Sequence, residues 1–148
     1  MPITDGLDQA VRNSALNLLR ADLGPPALQV FDSKVPPNTS PDAGYVLVYF
    51  YLERPADNPD NSLDGRSRVW IGHWICHSVG SGEDGVAAAA VNQRVRTALL
   101  DVRPTVAGFA AGAVGPFRLE SAVPATRDES TGVLVMDAVS TYQLRLQS

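Results

Sequence analysis

Cysteine is nearly absent from this sequence: Cys76 is the one such residue among 148, so no intramolecular disulfide can form. This fits a reducing compartment such as the cytoplasm and gives no support to a disulfide-stabilised secreted scaffold. No stretch approaches the ~20 consecutive apolar residues of a membrane span. The first six residues lack the basic region and apolar core of a signal peptide. We therefore expect a soluble protein with no signal peptide and no membrane association.

Basic side chains are also scarce. The 12 Lys and Arg residues, of which only Lys34 is a lysine, face 16 Asp and Glu residues and leave a net charge of -4. This charge repels phosphate backbones and argues against general nucleic-acid binding. Hydrophobic residues make up 45% of the chain, too much for intrinsic disorder. We predict one folded domain over residues 1–148.

Two helices and five strands are predicted from the spacing of apolar residues. The first helix is predicted to be capped by Thr4 or Asp5 and stopped by Gly24-Pro25-Pro26, and the second to run over residues 84–100. The predicted strands are 28–31, 45–53, 68–79, 117–123 and 133–146, and the glycine-rich segment 107–116 is predicted to be a mobile connection.

The order of these elements, α-β-β-β-α-β-β, decides the fold class. Hairpin-type connections and only two helices favour an α+β fold with a largely antiparallel mixed sheet and both helices packed on one face. The last strand alternates cleanly, since its even-numbered positions are mostly apolar and its odd-numbered positions mostly polar.

Two strands are apolar on both faces, which is more than a two-layer monomer needs. In YVLVYFYLE (45–53), Tyr45, Tyr49 and Tyr51 point to one side, and Val46 and Val48 to the other. One face can take the helices, and the other is predicted to pack on a neighbouring subunit, where tyrosine and tryptophan are favoured. The predicted interface residues on these strands are Tyr45, Tyr49, Tyr51, Trp70 and Trp74.

A glycine motif, G-x-G-x-x-G, matches residues 80–85 between a predicted strand and a predicted helix. Nucleotide binding remains an alternative on this ground. Against it, Glu83 and Asp84 would place two carboxylates where a dinucleotide's phosphates sit. We interpret the segment as a turn whose acids suit the positive end of a helix.

Other local patterns do not assemble a chemical site. His73 and His77 lie roughly 13 Å apart on a strand, with Cys76 on the opposite face, so one metal ion cannot bind all three. DNSLDGRSRVWI (60–71) imitates a calcium loop but has Ile71 where the bidentate glutamate is required. Ser78 lacks the preceding glycine of a nucleophile elbow. We predict no catalytic residue, no metal and no cofactor.

Several short segments together resemble one known family. They are LLRADL at 18–23, VFDSKVP at 30–36, YVLV at 45–48, WICHS at 74–78, DESTG at 128–132 and YQLRL at 142–146. Over nearly its full length the chain resembles the tail terminator (tail-to-head joining) proteins of long-tailed bacteriophages. The resemblance implies a non-enzymatic virion subunit, assembled in the host cytoplasm. Such a subunit forms a ring, usually a hexamer, that caps the tail tube and joins it to the head connector.

Partners follow from this resemblance. They are other copies of the chain, the tail tube protein and the head–tail connector protein, with DNA passing through the ring without sequence-specific binding. We expect the polar loop 54–67, with Asp57, Asp60 and Asp64, to contact the tube or the connector, since exposed loops often carry recognition. Another head–tail connector or tail-completion component would share the same ring logic and remains an alternative.

Overall fold

A computed structural model of the chain describes residues 3–54, 69–82, 84–129 and 134–147. Its helices and strands are α1 (Ile3–Arg20), β1 (Val30–Asp32), β2 (Tyr45–Glu53), β3 (Val69–Ser81), α2 (Val86–Leu99), β4 (Arg118–Asp128) and β5 (Val135–Gln147). This order confirms the predicted α-β-β-β-α-β-β sequence and the α+β class. Within the described residues, neither helix is both long enough and apolar enough to cross a bilayer.

The five strands form one sheet in the order β1-β2-β3-β5-β4. β1 runs parallel to β2, and the other neighbours are antiparallel, as predicted for a largely antiparallel mixed sheet. The two longest ladders place β3 between β2 and β5, so the middle of the sheet is built from its most apolar strands. Their side chains alternate between two faces along each strand.

Both helices pack on the same face of this sheet and form the hydrophobic core with it. Their buried residues recur at helical spacing, as in Val11, Ala15 and Leu19 of α1 and Val91, Val95 and Leu99 of α2. The sheet supplies the facing layer, which consists of Val46, Val48, Trp74, Cys76, Tyr142, Leu144 and Leu146. We call this the helix-covered face.

Trp74 lies at the centre of the core. Its ring centroid is 5.0 Å from that of Phe50 and 5.2 Å from that of Phe117, and its indole N–H donates to the Arg12 carbonyl at 3.3 Å. Gly72, two residues earlier on the same face, makes room for this indole, because a Cβ there would lie 2.6 Å from the Trp74 ring. The strand therefore combines a very large and a very small residue at adjacent positions of one face.

An ion pair ties α2 to the segment that follows α1. Arg94 donates to both carboxylate oxygens of Asp22, at 2.7 and 2.9 Å, and to the Pro26 carbonyl at 2.8 Å. The hydrogen bond from Arg94 holds the pKa of the Asp22 carboxyl below its usual value. The chain after α1 is thereby fixed against the second helix.

The turn from β3 into α2 depends on close backbone packing. A Cβ on Gly80 would lie 2.6 Å from the Ala88 amide nitrogen and 2.7 Å from the Ala87 carbonyl carbon. Gly85, at φ 75°, precedes the helix in the left-handed region that favours glycine. The Asp84 carboxylate accepts from the Val86 N–H at 3.2 Å, so an acid does satisfy a free amide at the helix start.

Several predicted boundaries were wrong. α1 begins at Ile3, so Thr4 and Asp5 lie inside its first turn, and α2 begins at Val86 instead of residue 84. β4 continues to Asp128, beyond the predicted end at residue 123. Segment 107–116 also carries more structure than a plain connection, with a one-turn 3₁₀ helix at Ala111–Ala113 and a bridge from the buried Val114 to Leu146.

Candidate functional site

The sheet face opposite the helices is the candidate site, and we call it the open face. β2 contributes Tyr45, Leu47, Tyr49 and Tyr51 to it, paired across the ladder with Val79, His77, Ile75 and His73 of β3. Tyr49 is 42% exposed and Tyr51 is 52% exposed. The strands predicted to be apolar on both faces thus have one face in the core and the other turned outward.

The predicted interface residues divide between the two faces. Tyr45, Tyr49 and Tyr51 lie together on the open face. Trp74 is 0% exposed in the core, so it offers no surface to a neighbouring subunit, while Trp70 is half-buried and packs against that core. Neither lies on the open face, and an interface role for Trp70 stays a prediction. The alternation of β3 is the physical reason, because its even-numbered side chains point toward the helices. Asp57, Asp60 and Asp64 lie outside the described residues.

A groove of about 750 Å³ runs along the end of the open face near Tyr45. We call it the Tyr45 groove. Its floor includes Leu47, Tyr49 and His77, and the loop after β1 borders it through residues 35–41. Asp128 and Asp137 lie along the β4–β5 side. The groove therefore combines aromatic walls with two carboxylates.

A histidine–carboxylate pair lies within the Tyr45 groove. The Nδ1 of His77 lies 2.9 Å from Asp137 Oδ2, and the ring of His77 meets Tyr49 edge-on at 5.7 Å between centroids. The hydrogen bond with Asp137 raises the pKa of His77, with a further contribution from the charge of Asp128. Burial and the same two carboxylates raise the pKa of Tyr45. The charges of Asp137 and Asp128 therefore contribute to both pKa shifts, after burial for Tyr45 and after the hydrogen bond for His77.

A second histidine lies between two carboxylates farther along the open face. His73 is 6% exposed, with Nδ1 3.0 Å from Glu120 Oε2 and Nε2 3.5 Å from Glu53 Oε2. Tyr51 stacks on its ring at 4.4 Å between centroids. The open face therefore repeats one combination, tyrosine beside histidine beside carboxylate.

Sequence reasoning missed these pairs. Glu120 is 47 residues from His73 along the chain, and Asp137 is 60 residues from His77. No local spacing indicates contacts of that range. The sequence held only a weaker signal for these contacts. The alternation of the strands places both histidines on one face of their strand and points the side chain of Asp137 outward on the last strand.

The pH dependence of the His77–Asp137 pair can be measured. Because the pKa of folded His77 is raised, the pair's contribution to stability is fully present below the unfolded pKa of ~6.5 and is lost as pH rises through the folded pKa. Replacing Asp137 with asparagine is expected to lower the pKa of His77 in an NMR titration and to flatten this loss in urea unfolding. Asp101→Asn is the control, because it removes a carboxylate from an exposed residue that does not line the groove. An unchanged His77 titration in Asp137→Asn would contradict the pairing.

The structure gives no support to a metal site at His73, Cys76 and His77 or to a nucleotide site at the glycine motif. Cys76 lies on the helix-covered face, buried, while His73 and His77 lie on the open face. Within the described residues no group of three or more His, Cys, Asp or Glu side chains is arranged to hold a metal ion. At the glycine motif, the carboxylate of Asp84 binds the Val86 amide that a phosphate would need.

Comparison with known proteins gives a likeness of fold. No protein-family model and no curated protein matches the sequence. A chain from the virion of a native gene transfer agent (GTA) particle has a similar structure, with a TM-score of 0.71 and 17% identity, covering 96% of this chain and 98% of that one. A second solved chain, whose name states no function, has a TM-score of 0.60 at 17% identity and 95% coverage of each chain.

Proposed function

We propose that this protein is a structural, non-enzymatic virion subunit. It forms a ring on the completed phage tail tube, ends the tube's polymerisation and joins the tail to the head connector. The observation that carries the proposal is the open face, an aromatic sheet surface on a chain whose core is already complete on the other face. A surface of this composition is typical of an interface between subunits.

Two likenesses support the assignment to a virion. The fold matches a chain of a gene transfer agent virion over nearly the whole length of both chains, so the likeness covers this chain's whole architecture. Independently, the sequence resembles tail terminator proteins through segments distributed from residue 18 to residue 146. Both point to particle assembly and neither depends on the other.

The proposed ring needs two different surfaces on each subunit. In a head-to-tail contact, the open face of one copy would lie on a different surface of the next copy. A rotation that closes such contacts gives a ring. The tail tube protein and the connector would bind the two ends of this ring. DNA would pass through a lumen whose net negative character, consistent with the charge of -4, avoids adhesion to phosphate.

Self-association of the purified protein tests this proposal. We expect rings in negative-stain micrographs and a discrete oligomer in sedimentation velocity at high micromolar concentration, alone or on isolated tail tubes. Introducing Tyr49→Asp together with Tyr51→Asp is expected to leave only monomer, because two charges would be desolvated in the contact.

Val86→Asp provides the matched control. Val86 is also an exposed apolar residue, at 65%, but lies at the start of α2 on the other side of the subunit, where an acid suits the helix dipole. It should assemble like the wild type. A wild-type protein that stays monomeric both alone and with tail tubes would refute the ring. Copurification with a neck component in place of the tube would favour the alternative, another head–tail connector or completion protein.

A further inference from the structure

The His77–Asp137 pair lies on the part of the open face that the proposed ring contact would bury. The side chain of His77 is 29% exposed and that of Asp137 is 19% exposed, so each still has water to lose. The half-exposed ring of Tyr49 meets His77 edge-on, and all three side chains line the Tyr45 groove. A neighbouring copy that covers Tyr49 therefore also covers the pair.

The charged and titratable groups around His77 come from three strands. Within the described residues they are Tyr45 and Tyr49 of β2, Asp137 of β5 and Asp128 of β4. Those residues of the loop after β1 that are described as lining the groove are all uncharged. Histidine is the one side chain of this set whose ordinary pKa lies between pH 5 and 8. In that range, the proton on His77 therefore decides the charge of the groove.

The two protonation states of His77 differ in how they tolerate loss of water. With a neutral ring, the pair carries the single negative charge of Asp137, and with a protonated ring the two charges cancel. Removing an unpaired charge from water costs more free energy than removing a hydrogen-bonded ion pair. The negative charge of Asp128 also favours the protonated ring. A contact that covers the groove is therefore stronger when His77 carries its second proton.

His73 is the other histidine of the chain. It is already 6% exposed in the subunit, where it lies between Glu53 and Glu120 and under the ring of Tyr51. Covering the open face removes less water from this ring than from that of His77. His77 is thus the histidine whose surroundings change most when a neighbouring copy binds.

We propose that protonation of His77 regulates assembly of the ring, so that each contact between subunits tightens as the pH falls. This inference rests on the ring proposed above. Because assembly takes up a proton, the pKa of His77 is higher in the ring than in the free subunit. The contact is tightest below the pKa of the free subunit and weakens as the pH rises through the pKa in the ring. Between these two values, the dissociation constant of a contact rises by at most about tenfold per pH unit.

Sedimentation velocity of the full chain at about pH 6 and about pH 8.5, at one ionic strength, tests this regulation. For the wild type, we expect the protein concentration at which half of the rings dissociate to be at least about threefold lower at the lower pH, the effect of a pKa raised by half a unit. His77→Gln keeps a donor for Asp137 but does not titrate. Its rings should dissociate at the same concentration at both pH values, near that of the wild type at the higher pH.

Two further variants separate the pair from general effects of pH. Asp101→Asn removes a carboxylate from an exposed residue outside the groove and should keep the wild-type pH dependence. In Asp137→Asn, a proton on His77 adds a charge instead of cancelling one, so its rings should not tighten as the pH falls. Thermal unfolding of each variant at both pH values checks that it is folded.

The possible outcomes distinguish the regulation from the ring itself. Wild-type rings that are equally tight at both pH values, or looser at the lower one, would overturn the regulation and leave the ring standing. Wild-type pH dependence in His77→Gln or in Asp137→Asn would assign the effect to another group and would also overturn it. A wild type that stays monomeric at both pH values, alone and with tail tubes, would refute the ring.

Discussion

Replacing Trp74 with alanine is expected to lower the free energy of unfolding by about 3–5 kcal/mol, the range for deleting a large aromatic side chain from a core. Trp74 is fully buried between Phe50 and Phe117. The substitution also removes the hydrogen bond that its indole N–H donates to the Arg12 carbonyl. In a chain of this size, such a loss corresponds to a melting temperature lower by roughly 6–20 °C. Urea unfolding and calorimetry at one low protein concentration would measure it, because association raises apparent stability.

Tyr51→Ala is the matched control for Trp74. It also removes an aromatic ring from the sheet, but from the open face, where the ring stacks on His73 and stays half-exposed. We expect a loss of about 1 kcal/mol or less. Equal losses in the two variants would contradict the placement of Trp74 in the core. The two variants also separate an effect on stability from an effect on assembly, since Tyr51 lies on the proposed interface and Trp74 lies in the core.

Replacing Gly80 with alanine is expected to destabilise the fold by about 3 kcal/mol, at the upper end of the usual cost of overpacking. The added Cβ would meet backbone atoms of Ala87 and Ala88 at under 3 Å, and backbone cannot rotate aside as a side chain can. The first turn of α2 would have to move away from β3. Hydrogen exchange should therefore show faster exchange at the amides of that turn, beyond the global loss of stability.

Gly112→Ala isolates the steric effect from the generic cost of changing a glycine. Gly112 lies in the 3₁₀ turn, and a Cβ there meets nothing within 4 Å. It should be neutral or slightly stabilising, since alanine reduces the freedom of the unfolded chain. If Gly80→Ala were as mild as Gly112→Ala, the close approach of α2 to β3 would be disproved.

The sequence was sufficient for the elements with strong periodicity and insufficient for the orientation of the sheet. β2 was predicted with the observed bounds, and the alternation of β5 placed its side chains on the correct faces. The two apolar faces of β3 were also separated correctly, yet nothing local indicated which of them the helices cover. Tryptophan is common in both cores and interfaces, so Trp74 was placed at the interface when it belongs to the core.

The remaining errors have particular causes. β4 is an exposed edge strand that contains Pro124 and two register shifts, so its second half lacks both strand-like composition and a regular pattern. Val114 is a single apolar residue among glycines and alanines, and its pairing with Leu146 is a tertiary contact with no local signal. The Tyr45 groove depends on three segments far apart in sequence and could not be assembled from spacing alone.

The burial of Cys76 in the core lowers the chemical reactivity of its thiol. Burial raises the pKa of its thiol to about 12, so almost none of it is thiolate at neutral pH, and thiolate is the form that oxidants attack. Because the thiol is buried and protonated, we expect the folded protein to resist oxidation without added reductant. It stays free of mixed disulfides in air, and a cysteine introduced at Tyr49 would be the one site that a maleimide dye labels while the fold is intact.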